Sequence, residues 1–130
     1  MQLRIRDARG RTLVEAAQAL PDGRVRRRGV LMSEKRVRGE AWTAAARRGV
    51  AEELGTAAPG DVALDEASHA VRSVRKDSMS YPGLATAYEV HCADASVPGL
   101  PPHGFQTREP RPGGELVTTW EWRDEPPPDL

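Results

Sequence analysis

Cysteine is all but missing from this chain. Cys92 is the single one among 130 residues, so no disulfide forms within it, and a reducing compartment is expected. Aromatic residues are scarce too: three Trp, two Tyr and one Phe make up 5%. A core with so few large side chains needs its tryptophans. Trp120 and Trp122, two apart on a predicted strand, are therefore expected inside rather than as a base-stacking platform. No run of about 18 apolar residues occurs, which excludes a membrane-spanning helix. The opening MQLRIRDARG is charged throughout and lacks the apolar centre of a secretory signal. An intracellular, cytoplasmic default follows, with an organelle address left open. Phosphate-cradling glycine loops are missing, as is the nucleophile-elbow context around any serine. His69, His91 and His103 have no ligand spacing with one another or with Cys92, which argues against zinc.

What is present is charge. Charged residues make up 29% against 38% hydrophobic, the balance of one globular domain with long solvated edges. The zero net charge hides a split. Residues 1–48 hold 13 Lys and Arg against 5 Asp and Glu, whereas residues 49–130 hold 6 against 14. Either the halves pack together and offset each other, or the first half builds a basic surface for an anionic ligand. The run Arg24, Arg26, Arg27, Arg28 is the centre of such a surface. Arg26 and Arg28 are candidate substrate contacts, because guanidinium groups grip phosphate bidentately. A solvated edge strand is the simpler account of the same run. Tyr81, a loop aromatic before Pro82, is a third candidate contact, by stacking on a base. The basic run carries no interleaved aromatics, so a nucleic-acid partner is not expected.

Along the chain, Leu3 and Ile5 alternate with Arg4 and Arg6 as in a half-buried strand. Asp7–Gly10 is a turn. Thr12–Glu15 reads as a returning strand that makes a hairpin with the first, or as a capping box opening a short helix. Pro21–Gly23 is a turn, and Val25–Met32 a strand. Residues 40–54 form the one strong helix, with Ala46, Val50 and Leu54 on one face, Trp42 near its start and Gly55 as its C-terminal cap. Gly49 in its interior costs roughly 1 kcal/mol relative to alanine. Strands are predicted over 62–74, over 84–92 with Leu84, Tyr88 and Val90 on one face, and over 116–122. Residues 98–114 read as a Pro- and Gly-rich loop. One domain is expected over 1–123, with a Pro-rich tail at 124–130.

Glu52 and Glu53 end the helix, and Arg48 stands four residues before Glu52, in reach of it. Adjacent glutamates with an i,i+4 arginine are common on solvated faces. Hard carboxylate oxygens in such a pair also suit magnesium held against phosphates.

The segment GEAWTAAARRGVAEELGT, residues 39–56, resembles the core of the Nudix box. That family pattern has a glutamate, seven intervening residues, arginine-glutamate, an aliphatic, one residue, two glutamates, one residue and a glycine. Glu40, Arg48, Val50, Glu52, Glu53 and Gly55 fall on it in register. The pattern's opening glycine is Glu34 here, its last aliphatic is Thr56, and the glutamate after the arginine is Gly49. SYPGL at 80–84, GLPPHGFQT and TTWEWR are similar to a Nudix-like subgroup of plants and algae.

The resemblance implies an α/β/α sandwich around a mixed sheet. Its later helix has no clear counterpart here, leaving one sheet face bare or covered by a protein partner. It implies metal-dependent hydrolysis of a diphosphate bond in a nucleoside-diphosphate-linked small molecule. Mg2+ or Mn2+ would be held by Glu52 and Glu53 with help from Glu40, and Arg48 would orient a carboxylate. In the family the residue at position 49 binds metal or acts as general base, and a carboxylate from elsewhere would have to substitute. Glu34, Glu66, Glu109 and Glu115 are the candidates. The rival reading is a Nudix fold that binds a ligand or a protein without cutting.

Overall fold

The computed structural model describes residues 1–77 and 85–124. Its elements in chain order are β1 (Gln2–Ile5), β2 (Thr12–Ala19), β3 (Val25–Ser33), α1 (Trp42–Glu53), a 3-10 turn (Gly55–Ala57), β4 (Ala63–Asp77), β5 (Ala85–Ser96), β6 (Phe105–Arg111) and β7 (Gly114–Arg123). The strands form one mixed seven-stranded sheet in the order β4-β5-β1-β3-β2-β7-β6. Only β1 and β5 run parallel; the other pairs are antiparallel.

Three expectations change. β1 and β2 do not form a hairpin. The Asp7 turn is there, with its Oδ1 accepting from the amides of Arg9 and Arg11 at 3.0 and 2.8 Å, but the strands diverge after a single bridge, Arg6 to Thr12. β1 then pairs with β3 and β5, while β2 pairs with β3 and β7. The expected loop over 98–114 contains β6, an edge strand in register with β7 from Phe105 opposite Trp120 to Arg111 opposite Gly114. An edge position tolerates the missing amide of Pro110. The helix begins at Trp42, two residues later than read, because Ala41 is extended at ψ 146°.

α1 packs on one face of the sheet. Ala45, Ala46, Val50 and Leu54 meet Leu3, Ile5, Leu13, Met32, Ala93, Ala95 and Trp120. Small residues on the helix let it approach closely, and Trp120 fills the space they leave. As expected, Trp120 is core: it is 1% exposed, and its indole Nε1 donates to Thr107 Oγ1 at 2.8 Å. Gly55, at φ 51°, ends the helix in the left-handed region, where a side chain is strained. Leu84 lies outside the described residues, and Tyr88 is half exposed, so the predicted face of β5 is not a core face there.

The residues that alternate with the core point away from the helix. On that side Arg4 Nη1 donates to Asp94 Oδ1 at 3.0 Å, and Arg72 Nη2 donates to Gln2 Oε1 at 3.1 Å. Among the described residues α1 is the only α-helix, and the opposite face carries these polar contacts together with the buried Val14 and Leu31. No helix is long and apolar enough to cross a membrane among the described residues.

Two irregularities coincide in mid-sheet. Between Glu15 and Ala17, β2 has one more residue than β7, while β3 has one more than β2. Such bulges sharpen the local twist and re-aim side chains.

Candidate functional site

Arg48 joins the helix to the segment before it. Its Nε donates to Glu40 Oε2 at 3.1 Å and its Nη2 to Glu40 Oε1 at 2.9 Å, a bidentate pair. The same Nη2 donates to the Lys35 carbonyl at 2.6 Å. Nη1 lies 3.4 Å from Glu52 Oε2 and 3.7 Å from Glu34 Oε1. Glu40 also accepts from the Val37 amide at 2.9 Å. The Arg48 guanidinium, followed by that amide, holds the Glu40 carboxyl down at about 2. In return Glu40 raises the Arg48 pKa further. Glu40 precedes α1, and its carboxyl is committed to this clamp.

Glu53 is a different kind of group. Its Oε2 is buried without a hydrogen-bond partner. Burial, then the charges of Glu34, Glu15 and Glu109, push its carboxyl up to about 8, offset in part by Arg28. Four chain segments supply this acidic centre: Glu15 from β2 at the bulge, Glu34 just after β3, Glu53 from the end of α1, and Glu109 from β6. Burial raises Glu15 as well, opposed by Arg28 and Arg26 and reinforced by Glu109. Glu109 is raised by burial and by Glu34 and Glu52, against Arg111. Glu15 is only 4% exposed, with Arg28 Nε at 3.3 Å from its Oε1. Beside Glu53 a cavity of about 230 Å³ opens between the helix end and Gln106–Arg108 of β6.

Glu34 lies against Gly49. A Cβ at position 49 would stand 3.0 Å from Glu34 Cβ and 3.2 Å from Met32 Cε. The one helix position without a side chain is thus where another carboxylate packs.

Of the residues singled out from the sequence, Glu53 and Arg28 join the acidic centre, Glu52 stands at its rim beside Arg48, and Glu40 serves the clamp. Arg26 Nη2 donates to Gln18 Oε1 at 2.5 Å, next to Arg28, which reaches the same oxygen at 3.4 Å. The basic run is not on an outer strand of the sheet. It is nevertheless exposed, because β1 reaches only Met32 and Ser33 of β3. Tyr81 and the rest of the SYPGL segment at 80–84, with residues 125–130 of the expected tail, lie outside the described residues. Glu66 falls in the irregular stretch of β4, and Glu115 pairs with Arg108 at 3.2 Å on the outer hairpin. Glu34 and Glu109, of the four candidate substitutes, belong to the centre.

Glu15 was not anticipated. The signal for it was its phase: it shares a face with Leu13 on an otherwise apolar strand. A second unanticipated pair sits at the other end of the helix. His69 Nε2 is 2.9 Å from His91 Nδ1, and Trp42 stacks on His69 with ring centroids 4.3 Å apart. Burial, then Arg36 and His69, lowers the His91 pKa.

The donor set at the acidic centre is all carboxylate oxygen, the chemistry that suits Mg2+ or Mn2+. The bare Oε2 of Glu53 fits a group that a cation would satisfy. Among the described residues no three His, Cys, Asp or Glu side chains are already gathered tightly enough to hold a metal ion. No protein-family model matches the chain, and no curated protein or solved structure matches it either.

Proposed function

We propose that this chain is a Nudix-type hydrolase that cleaves the diphosphate bond of a small nucleoside-diphosphate-linked molecule with Mg2+ or Mn2+. The observation that carries the reading is Glu53: a carboxyl with a buried, unpartnered oxygen, held near neutrality by burial and by Glu34, Glu15 and Glu109. Such a group is relieved by a cation. When bound, the metal would make water a better nucleophile and offset charge on the phosphates.

The remaining roles belong to the protein. Glu53 and Glu52 would hold the metal, with Glu15 and Glu109 completing its acidic surroundings. Glu34 supplies the carboxylate that position 49 lacks and takes the proton of the attacking water. Arg48 holds Glu40, Glu52 and the Lys35 carbonyl, and so fixes the segment that carries Glu34. Arg28, beside Glu15, and Arg26 meet the phosphates of the incoming substrate.

A non-cutting ligand-binding or protein-interaction module is the second reading. The glycine at position 49, where the family pattern has a glutamate, favours it.

The test is incubation of purified protein with magnesium and a panel of nucleotide sugars, dinucleoside polyphosphates and nucleoside triphosphates, with assay of released products. Turnover that falls by about 10²-fold or more in both Glu34→Gln and Glu53→Gln supports the hydrolase with Glu34 as base. Equal turnover in both variants and the parent would end that reading. A ligand that raises the melting temperature without forming product would favour the second.

A further inference from the structure

A cavity larger than the one beside Glu53 lies away from the acidic centre. It lies at the far end of β2, between the Asp7–Gly10 turn and the loop that joins β5 to β6, and encloses about 600 Å³. That is within the usual range for small-molecule pockets, roughly 300–1,000 Å³.

Its walls are fixed by bonds already made. Arg11 Nε donates to Asp7 Oδ2 at 2.8 Å, and Arg11 Nη2 to the Pro102 carbonyl at 3.1 Å. Trp122 Nε1 donates to the Pro101 carbonyl at 2.9 Å. The Arg11 guanidinium stands over the Trp122 ring, 5.8 Å from its centroid. The turn and the loop are thus both tied to β2 and β7, and a ligand entering between them orders little that is loose.

The lining has two parts. Trp122, Val97, Leu100 and the prolines offer flat apolar surface. Arg6, Arg9 and Arg11 bring positive charge, and Asp7 is the single carboxylate among the lining residues. Asp7 is committed to Arg11. Arg6 has only a long contact, 3.9 Å, to Asp94, whose other oxygen already takes Arg4 at 3.0 Å. The Arg9 side chain forms no ion pair among the described residues and is exposed at the tip of the turn. Cationic groups at the rim of an aromatic and proline-walled pocket match a flat ring that carries an anionic head.

We infer that this pocket binds a small planar-ring anion, with the ring against Trp122 and the prolines and a phosphate or carboxylate between Arg9 and Arg6. The site shares no residue with the acidic centre, so it stands or falls independently of the hydrolase reading.

The experiment is tryptophan fluorescence titration of the full chain, without added metal, with AMP and 1-naphthoate. Adenosine supplies a ring without charge, and inorganic phosphate a charge without ring. Saturable binding of both ring anions, with adenosine and phosphate at least tenfold weaker, is the expected result. Binding of one ring anion alone also upholds the site and assigns its head group. Arg9→Ala breaks no contact of the fold, and weakens binding about tenfold, as loss of one charge-assisted contact does; Arg6→Ala does the same. Glu53→Gln leaves it unchanged, which separates this pocket from the acidic centre. No binding at millimolar AMP or 1-naphthoate, binding of adenosine as strong as AMP, or full affinity in both arginine variants would each overturn the inference.

Discussion

Replacing Glu53 by Gln removes a carboxyl that burial and neighbouring charges push far up, while keeping its shape. The wild-type carboxyl is raised from an ordinary 4.5 to about 8. In the unfolded chain it ionises near 4.5, and in the folded protein it stays protonated until about 8. Its contribution to stability is therefore complete below about pH 4.5 and is lost as pH rises through about 8. At ~1.4 kcal/mol per pH unit the full loss is on the order of 5 kcal/mol. Glu53 keeps part of its surface in water, and screening brings this to roughly 2–3 kcal/mol. Glutamine does not titrate. Urea unfolding followed by tryptophan fluorescence should find wild type and Glu53→Gln within about 1 kcal/mol at pH 5. At pH 9 the variant should be more stable by roughly 2 kcal/mol. A stability difference that does not change between pH 5 and pH 9 would refute the reasoning, because Glu53 would then carry no unusual proton. The same titration in millimolar magnesium should flatten the wild-type curve at high pH, since a cation takes the place of the proton.

Three other substitutions test the surrounding structure. Gly49→Ala in an ordinary helix interior gains about 1 kcal/mol, but here the new Cβ meets Glu34 at 3.0 Å and Met32 at 3.2 Å. Crowding of this kind costs about 1–3 kcal/mol, so denaturant melts should show a net loss; a clear gain would mean that Glu34 does not pack on the helix. Trp120→Phe keeps most of the buried ring but strands Thr107 Oγ1, its partner at 2.8 Å, and should cost about 1–3 kcal/mol by the same measurement. Arg48→Ala frees the segment at 35–40, so trypsin should cut after Lys35 and Arg36 several-fold faster than in wild type. With Arg48 in place, the Glu40 carboxyl should titrate near 2 by NMR. The stability it lends is then present above about pH 4.5 and lost as pH falls through about 2.

Local signals were readable in the sequence, and long-range ones were not. Helix spacing at Ala46, Val50 and Leu54, and the glycine that stops it, gave α1 to within two residues. Alternation gave β1 and β7, and the apolar run Val30–Met32 after the Pro21–Gly23 turn gave β3. β6 was hidden because Pro110 and the glycines around it look like loop, and only pairing with β7 makes Phe105–Arg111 a strand. The β1–β2 separation was hidden for a related reason: a tight turn says that the chain reverses, not that the two arms bond. At the candidate site Glu53, Glu52 and Arg48 were legible from spacing on one helix. Glu15 and Glu109 come from strands on either side of β7, and register across strands is not written in either segment alone. The packing of Glu34 on Gly49 joins positions whose contact depends on how the strand end meets the helix, so the gap was visible but its occupant was only one of four candidates.

The supernumerary residue in mid-β2 governs more than a local bend. Leu13 and Glu15 face Trp122 and Trp120, yet it is Gln18, not Ala17 or Ala19, that stands opposite Thr118 on that side. Odd positions point to the helix before the bulge, and even ones after it. Deleting Ala16 alone would remove the extra residue and restore a plain alternation in which Ala17 points out and Gln18 still faces inward opposite Thr118, while exchanging Ala16 for another small residue would leave the bulge in place. An inserted residue, by contrast, would put Gln18 and Ala19 on the wrong faces unless the bulge widened to absorb it, so the middle of this strand should tolerate loss of one residue better than gain of another.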